Sequence, residues 1–387
     1  MTEHYLDNSA TTALSAAAWQ RMQEAAACYG NPSSLHDMGL RAEKLVSEAR
    51  RSILAALGGH AERSGELVFT SCGTEATALA LFGTAYAKSR READRILTTD
   101  SEHPSVENAL RRLESDGFEV IRIPTAGGVL DMAALQAALD KKIFLATFML
   151  VNNETGARYD VESAFRAVKA AYPSALTHCD AVQGFLKVPF TPRSLGADLI
   201  TLSAHKVHGP KGVGALYIAN SLLKAKQIRA YLPGGGQEKD LRSGTENVIG
   251  IVGFGAAAAA LSPVCESRMA EVRALRDRAA DALRDLGIQI NQPPVCAPHV
   301  LHVTLPHIKS ETMLHFLSAK GVYVSSGSAC SSHSHHPSAA LLAYGLSASE
   351  ADCSLRISFS DQNTDEDVTA LIHALSEGVQ TLVRIRR

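Results

Sequence analysis

The chain has 387 residues, 46% of them apolar, with 38 basic and 40 acidic side chains for a formal net charge of −2. That balance leaves no electrostatic footprint for nucleic acid or an anionic membrane and favours a small-molecule substrate. A chain of this length and apolar content buries a large core and is expected to divide into two domains. The stretch Met1 to Asn8 lacks a basic region followed by an apolar run, and no window reaches the ~18 uninterrupted apolar residues that cross a bilayer. The expected location is the cytoplasm, with no membrane partner. Seven cysteines are odd in number, scattered and free of any C-x-x-C pair, which argues against a disulfide framework and against a zinc site.

Short apolar runs alternate with amphipathic helical patterns at 66–69, 95–98, 119–123, 144–151, 176–180, 199–203 and 213–218. The alternation predicts an α/β fold, a mostly parallel sheet covered by helices on both faces. Ligands in such a fold lie outside the carboxyl ends of the strands. The alanine-rich helical stretch 247–261 and Pro263 mark a change of character. Beyond them the pattern predicts a helix over 266–286, strands over 299–305 and 322–325, and a last helix over 365–385. The expected domains are a large α/β body over 15–260 and a smaller α+β body made of 1–14 with 261–387.

Polar residues fall at the ends of these strands. Ser71, Cys72, Gly73, Thr74 and Glu75 stand between a strand and a helical pattern, where helix N-terminal amides can meet a phosphate. A cap made by Ser71 or Thr74 accounts for the same residues. His103 follows the second strand, as a structural or a catalytic imidazole. Asn152 and Asn153 end the run 144–151, where turn formation is the ordinary role. Asp180 closes 176–180, with Gln183 three residues on; a carboxylate there caps a turn or holds a pyridine nitrogen protonated. Ser203, Ala204, His205 and Lys206 close the next run, and a lysine in that setting is a loop residue or holds an aldehyde cofactor as a Schiff base. Cys330 sits in a small polar stretch from Ser325 to His333, which favours an exposed, nucleophilic thiol over core packing, whereas Cys28 and Cys353 suit a core.

With these residues in view the chain resembles the cysteine desulfurases, pyridoxal-phosphate-dependent members of the class V aminotransferase family. The matching motifs run nearly end to end: Tyr5 to Thr12, Gly30 to His36, Phe69 to Glu75, Val151 to Gly156, Asp180 to Gln183, Ser203 to Lys206, Gly234 to Glu238, Arg242 to Thr245, Ser326 to Ser331 and Leu355 to Ser358. The resemblance implies the fold-type I transferase architecture and pyridoxal 5'-phosphate as cofactor. It implies that Lys206 holds the cofactor aldehyde and later moves the substrate α-proton, that Asp180 pairs the pyridine nitrogen and Gln183 the phenolic oxygen, and that His103 stacks on the ring. Gly73, Thr74, Ser203 and His205 would hold the phosphate, with Thr245 reaching in from the second subunit of a homodimer. Arg356 would bind the substrate carboxylate with Asn153 nearby, a task suited to a planar guanidinium. Cys330 would take sulfur from L-cysteine as a persulfide, leaving L-alanine, and pass it to an acceptor protein for iron-sulfur cluster, thio-cofactor or tRNA biosynthesis.

Three places depart from the family pattern. Ser9 stands where alanine is common and Cys72 where glycine is usual; both are small, and packing is the expected role of Cys72. His333, His335 and His336 follow Cys330, in a spacing open to a metal, to an imidazolium that activates the thiol, or to a plain solvated loop. The rival readings are a selenocysteine lyase or another class V aminotransferase, and, from a different class, a silent sulfur-transfer scaffold. A silent scaffold has no need of Lys206, Asp180, His103, Arg356 and Cys330 together.

Overall fold

The computed structural model describes residues 2–58, 60–87, 93–326 and 337–382. Among them the strands, in chain order, are β1 (His4–Tyr5), β2 (Gly65–Thr70), β3 (Arg95–Thr99), β4 (Glu119–Ile123), β5 (Ile143–Met149), β6 (Leu176–Asp180), β7 (Leu199–Ser203), β8 (Gly214–Ala219), β9 (Gln289–Ile290), β10 (Val300–Thr304), β11 (Val322–Tyr323), β12 (Ser325–Ser326) and β13 (Ser354–Ser358). The seven runs read from the sequence join one sheet in the order β2-β8-β7-β6-β5-β3-β4. β3 to β7 are mutually parallel, whereas β8 pairs antiparallel with β7 and with β2. The ten residues 204–213 between β7 and β8 are too few for a crossover, so the chain turns straight back.

Every residue of β3, β5, β6 and β7 is buried, as expected of strands covered on both faces. One face packs against helices Asp37–Leu57, Val161–Ala171 and Val248–Leu261, the other against Gly73–Ala85 and Pro104–Ser115. Val248–Asp285 is long and apolar enough to cross a membrane by composition, with a mean hydropathy of 2.0 over its window, but 50% of that window is buried. Close approach explains the burial: a Cβ on Gly255 would lie 2.6 Å from Ala49 Cα, and one on Gly253 2.7 Å from Met22 Cγ. Its first part, Val248–Leu261, is a core helix on which two neighbours pack.

A third apolar cluster gathers Leu6 with Val272, Leu301, Val303, Leu317, Leu355, Ile357 and Leu371. There β1 pairs parallel with β11, and β12-β13-β10-β9 form an antiparallel sheet. The expected single strand over 322–325 is therefore two pieces serving different sheets, because Val322 and Tyr323 pair with β1 while Ser325 and Ser326 pair with Arg356 and Leu355. The last helix runs Asp365–Thr381, shorter than expected, and 383–387 lie outside the described residues.

Candidate active site

The carboxyl ends of β2, β3, β5, β6 and β7 surround a cavity of about 320 Å³. Gly73, Thr74, His103, Asn153, Asp180, Gln183, Ser203, His205, Lys206 and Arg356 all line it, although they are spread over most of the chain. Thr245 is exposed and does not line it, and Cys330, His333, His335 and His336 lie outside the described residues.

Lys206 sits in the short turn after β7, and its Nζ donates to the carbonyls of Ser9 at 2.6 Å and Ala10 at 2.7 Å. The N-terminal segment is held there by Thr12, whose amide and hydroxyl donate to His205 O at 2.9 and 3.0 Å and whose Oγ1 accepts from His208 N at 2.8 Å. His205 Nδ1 lies 3.1 Å from Thr11 Oγ1, and burial together with the Lys206 cation pushes this imidazole down to about 4. Asp180 Oδ1 accepts from Val182 N at 3.0 Å, so the turn cap expected of it is present. Burial pushes its carboxyl up to about 6, against the pull of the turn amide and of Lys206, which leaves it mostly ionised at neutral pH.

His103 fills both of its readings. It caps the helix Pro104–Ser115, where Nδ1 accepts from Ser105 N at 3.1 Å, and it lines the cavity. That bond assigns the proton of the neutral ring to Nε2. Burial and the Lys206 charge push the imidazole down to about 4, so it is neutral at physiological pH.

The helix Gly73–Ala85 begins at Cys72 without any side-chain cap, contrary to the expected cap from Ser71 or Thr74. The Ser71 hydroxyl lies 3.7 Å from Cys72 Sγ instead, and the Ser71 amide donates to Glu75 Oε2 at 2.7 Å. The first-turn amides are left for whatever occupies the cavity, with the positive end of the helix dipole behind them. Close packing holds this loop: a Cβ on Gly214 of β8 would fall 2.3 Å from Cys72 C, and one on Gly73 3.2 Å from Val182 Cγ2. Cys72 itself, expected to pack, is half-buried and lines the cavity. Cys353 is buried as expected, whereas Cys28 is only partly so.

Arg356 on β13 donates from Nη1 to Asn153 O at 3.0 Å and from Nη2 to Asp7 Oδ1 at 2.8 Å and Ser325 Oγ at 3.1 Å. Its Nε is buried without a partner, an orphan donor beside the cavity. Asn153 thus serves through its carbonyl, while Asn152 builds the turn, its Oδ1 accepting from Glu154 N and Thr155 N at 2.9 Å each. Thr245 follows Arg242, which is tied to the uncapped helix by Arg242 Nε donating to Glu75 Oε1 at 2.7 Å.

Sequence reasoning missed several neighbours of these residues. Asp7 pairs with Arg356 across 349 positions, a separation at which no local pattern exists. Glu102, next to His103, has its carboxyl buried and pushed up to about 8, with Oε1 accepting from Thr99 Oγ1 at 2.8 Å and Met149 N at 2.9 Å. Lys187 and His299 both reach Gln183 Oε1, at 3.1 and 3.3 Å. A lysine four residues past Gln183 was the available signal.

The donor set suits pyridoxal phosphate. Uncapped amides offer a phosphate site, Lys206 an amine for the aldehyde, Asp180 a carboxylate for a ring nitrogen, and the orphan Arg356 Nε a donor for a carboxylate. Comparison with known proteins agrees. Residues 4–371 match the family described as aminotransferase class-V. A cysteine desulfurase of Enterobacter agglomerans is 37% identical over 390 residues, spanning 99% of this chain and 94% of the relative. A solved NifS-like protein superposes with a TM-score of 0.90 at 34% identity, covering 98% of this chain and 100% of its own. The solved complex of SspA with cysteine gives a TM-score of 0.79 at 29% identity, over 94% and 100% of the two chains. Family match, relatives and cavity converge: this chain belongs to the aminotransferase class V family, among its cysteine desulfurases.

Proposed function

We propose that the cavity binds pyridoxal phosphate and L-cysteine, and that the chain converts L-cysteine to L-alanine while its sulfur passes to Cys330. The observation that carries this reading is one cavity lined by Lys206, Asp180 and Arg356. When bound, the cofactor supplies an electron sink for the substrate α-carbon. Lys206 Nζ, aimed by the Ser9 and Ala10 carbonyls, holds the cofactor aldehyde and then moves the proton at Cα. With the cofactor bound, Asp180 would keep the ring nitrogen protonated, and Gln183 would donate to the phenolic oxygen. His103, which lines the cavity and is neutral at working pH, would contact the ring without adding a like charge to Lys206. Gly73 and Thr74 on the helix N-terminus, with Ser203 and His205, hold the phosphate. Arg356, held by Asp7 and Asn153, orients the substrate carboxylate.

Cys330 attacks as thiolate. A bond forms between its sulfur and the substrate sulfur, the Cβ–S bond breaks with its electron pair remaining on carbon, and protonation of carbon completes alanine. Thiol and L-cysteine become persulfide and L-alanine with no external oxidant. An acceptor protein then removes the sulfur. Thr245, exposed and outside the cavity of its own chain, suits a phosphate contact in a second copy, and exposed Trp19, Tyr29, Leu35 and Leu40 suit a homodimer face. We further place the enzyme in the cytoplasm and divide it into a large body, 15–260, and a smaller one, 1–14 with 261–387.

The test uses borohydride on the holoenzyme followed by peptide mass mapping. The cofactor should be fixed on Lys206, Lys206→Ala should carry none, and Cys330→Ala should keep the cofactor while losing alanine formation. Cofactor fixed elsewhere, or undiminished turnover in Cys330→Ala, would overturn the reading.

A further inference from the structure

Lys187 is buried four residues past Gln183 and has no part in the mechanism above. Its Nζ donates to Gln183 Oε1 at 3.1 Å, and His299 Nε2 approaches the same oxygen at 3.3 Å. At the other end of the amide, Gln183 Nε2 donates at 2.9 Å to the Ser9 carbonyl that also accepts from Lys206 Nζ. A backbone carbonyl only accepts, so the amide presents its NH₂ to Ser9 and its oxygen to Lys187. One N–H meets Ser9 and the second is left for the cavity that Gln183 lines. His299, by the same logic, carries its proton on Nε2, and its Nδ1 is buried without a partner.

A buried ammonium held by a neutral amide lowers stability unless an anion compensates it. Burial pushes the Lys187 ammonium well below the usual lysine range, and the charges of Lys206 and Arg356, both cations, push it the same way. The charges of Lys187, Arg276, Arg356 and Lys206 all act on His299; that of Lys206 also acts on Asp180, His103 and His205, and that of Asp180 acts on Glu102. Stability alone would favour a hydrocarbon at position 187. An anionic occupant of the cavity relieves the repulsion.

We propose that Lys187 is a positioning residue: through Gln183 Oε1, with His299 as second donor, it locks the Gln183 amide so that an N–H meets the phenolic oxygen of the bound cofactor. The proposal rests on the reading of Lys206 and Gln183 given above. Loss of the lock weakens the hydrogen bond that Gln183 donates to the phenolic oxygen, and that oxygen becomes more basic. The proton shared with Lys206 nitrogen is then held more tightly.

The test is the pH midpoint of the visible absorbance of the holoenzyme. Lys187→Met should raise it by about half to one pH unit, with thermal stability of the cofactor-free protein unchanged or higher, and Lys187→Arg should restore most of it. An unmoved midpoint in Lys187→Met overturns the proposal. In a Gln183→Leu background the same substitution should move the midpoint by less than a third as much; a full shift there means charge alone, and overturns positioning. Should Lys187→Met fail to fold, His299→Ala must raise the midpoint, and an unmoved value overturns the proposal. Borohydride mapping on the wild type separates this outcome from failure of the underlying reading, since cofactor fixed on Lys206 with an unmoved midpoint sinks the inference alone.

Discussion

Replacing Arg356 by Lys probes the substrate side of the cavity. The guanidinium uses Nη1 for Asn153 O and Nη2 for Asp7 and Ser325, leaving Nε buried and without a protein partner. A lysine ammonium is a point charge on a flexible stem and cannot serve Asp7, Asn153 and a carboxylate together. A charge-assisted hydrogen bond lost to the substrate is worth about 1.5–3 kcal/mol. At 1.4 kcal/mol per tenfold, that is about a ten- to hundredfold fall in kcat/KM, most of it in KM because the carboxylate is bound equally before and during reaction. The assay is alanine formation from L-cysteine and from its methyl ester, with cofactor absorbance as a check on assembly. Wild type should favour the free acid, and Arg356→Lys should lose most of that preference. A preference left intact would refute the assignment of Arg356 to the carboxylate.

Gly214→Ala should cost at least about 1–3 kcal/mol in urea unfolding, because the new Cβ meets the Cys72–Gly73 backbone rather than a flexible side chain; an unchanged midpoint of unfolding would contradict the packing of that loop. Glu75→Gln removes the charge that holds Arg242 and is expected to raise cofactor loss on dialysis about three- to tenfold, for roughly 1 kcal/mol of lost hydrogen bonding. Acid stability should follow the buried histidines: burial pushes His178 and His302 down to about 3 and His103 to about 4. Folded values below the unfolded one, about 6.5, mean that their contribution is full above that pH and lost as pH falls through 4 and 3. Asp180, pushed up to about 6, and Glu102, to about 8, act oppositely: their contribution is present below about 4 and lost as pH rises through those values. Stability of the cofactor-free protein should therefore peak between these limbs. His178→Asn should flatten the acid limb by about one proton, roughly 1.4 kcal/mol per pH unit, and an acid limb of unaltered slope in thermal melts would refute it.

What the sequence determined by itself was the alternation that makes the sheet and the chemistry at its strand ends. Period and run length are local properties, so Leu176–Asp180 and Leu199–Ser203 were legible as buried strands, with Asp180 closing the first and Lys206 just beyond the second. The antiparallel return at β8 was implicit in a connection too short for a helix. The resemblance carried roles, but not partners. Only the tertiary structure decided that the N-terminal segment lies on the Lys206 turn, that Asp7 holds Arg356, that no side chain caps the helix after β2, and that Lys187 and His299 meet on one amide oxygen. Each is a contact between segments whose separation along the chain leaves no periodic trace, or an absence of one. Such contacts arise from how the strand ends converge, and convergence is a property of the folded sheet rather than of any stretch within it.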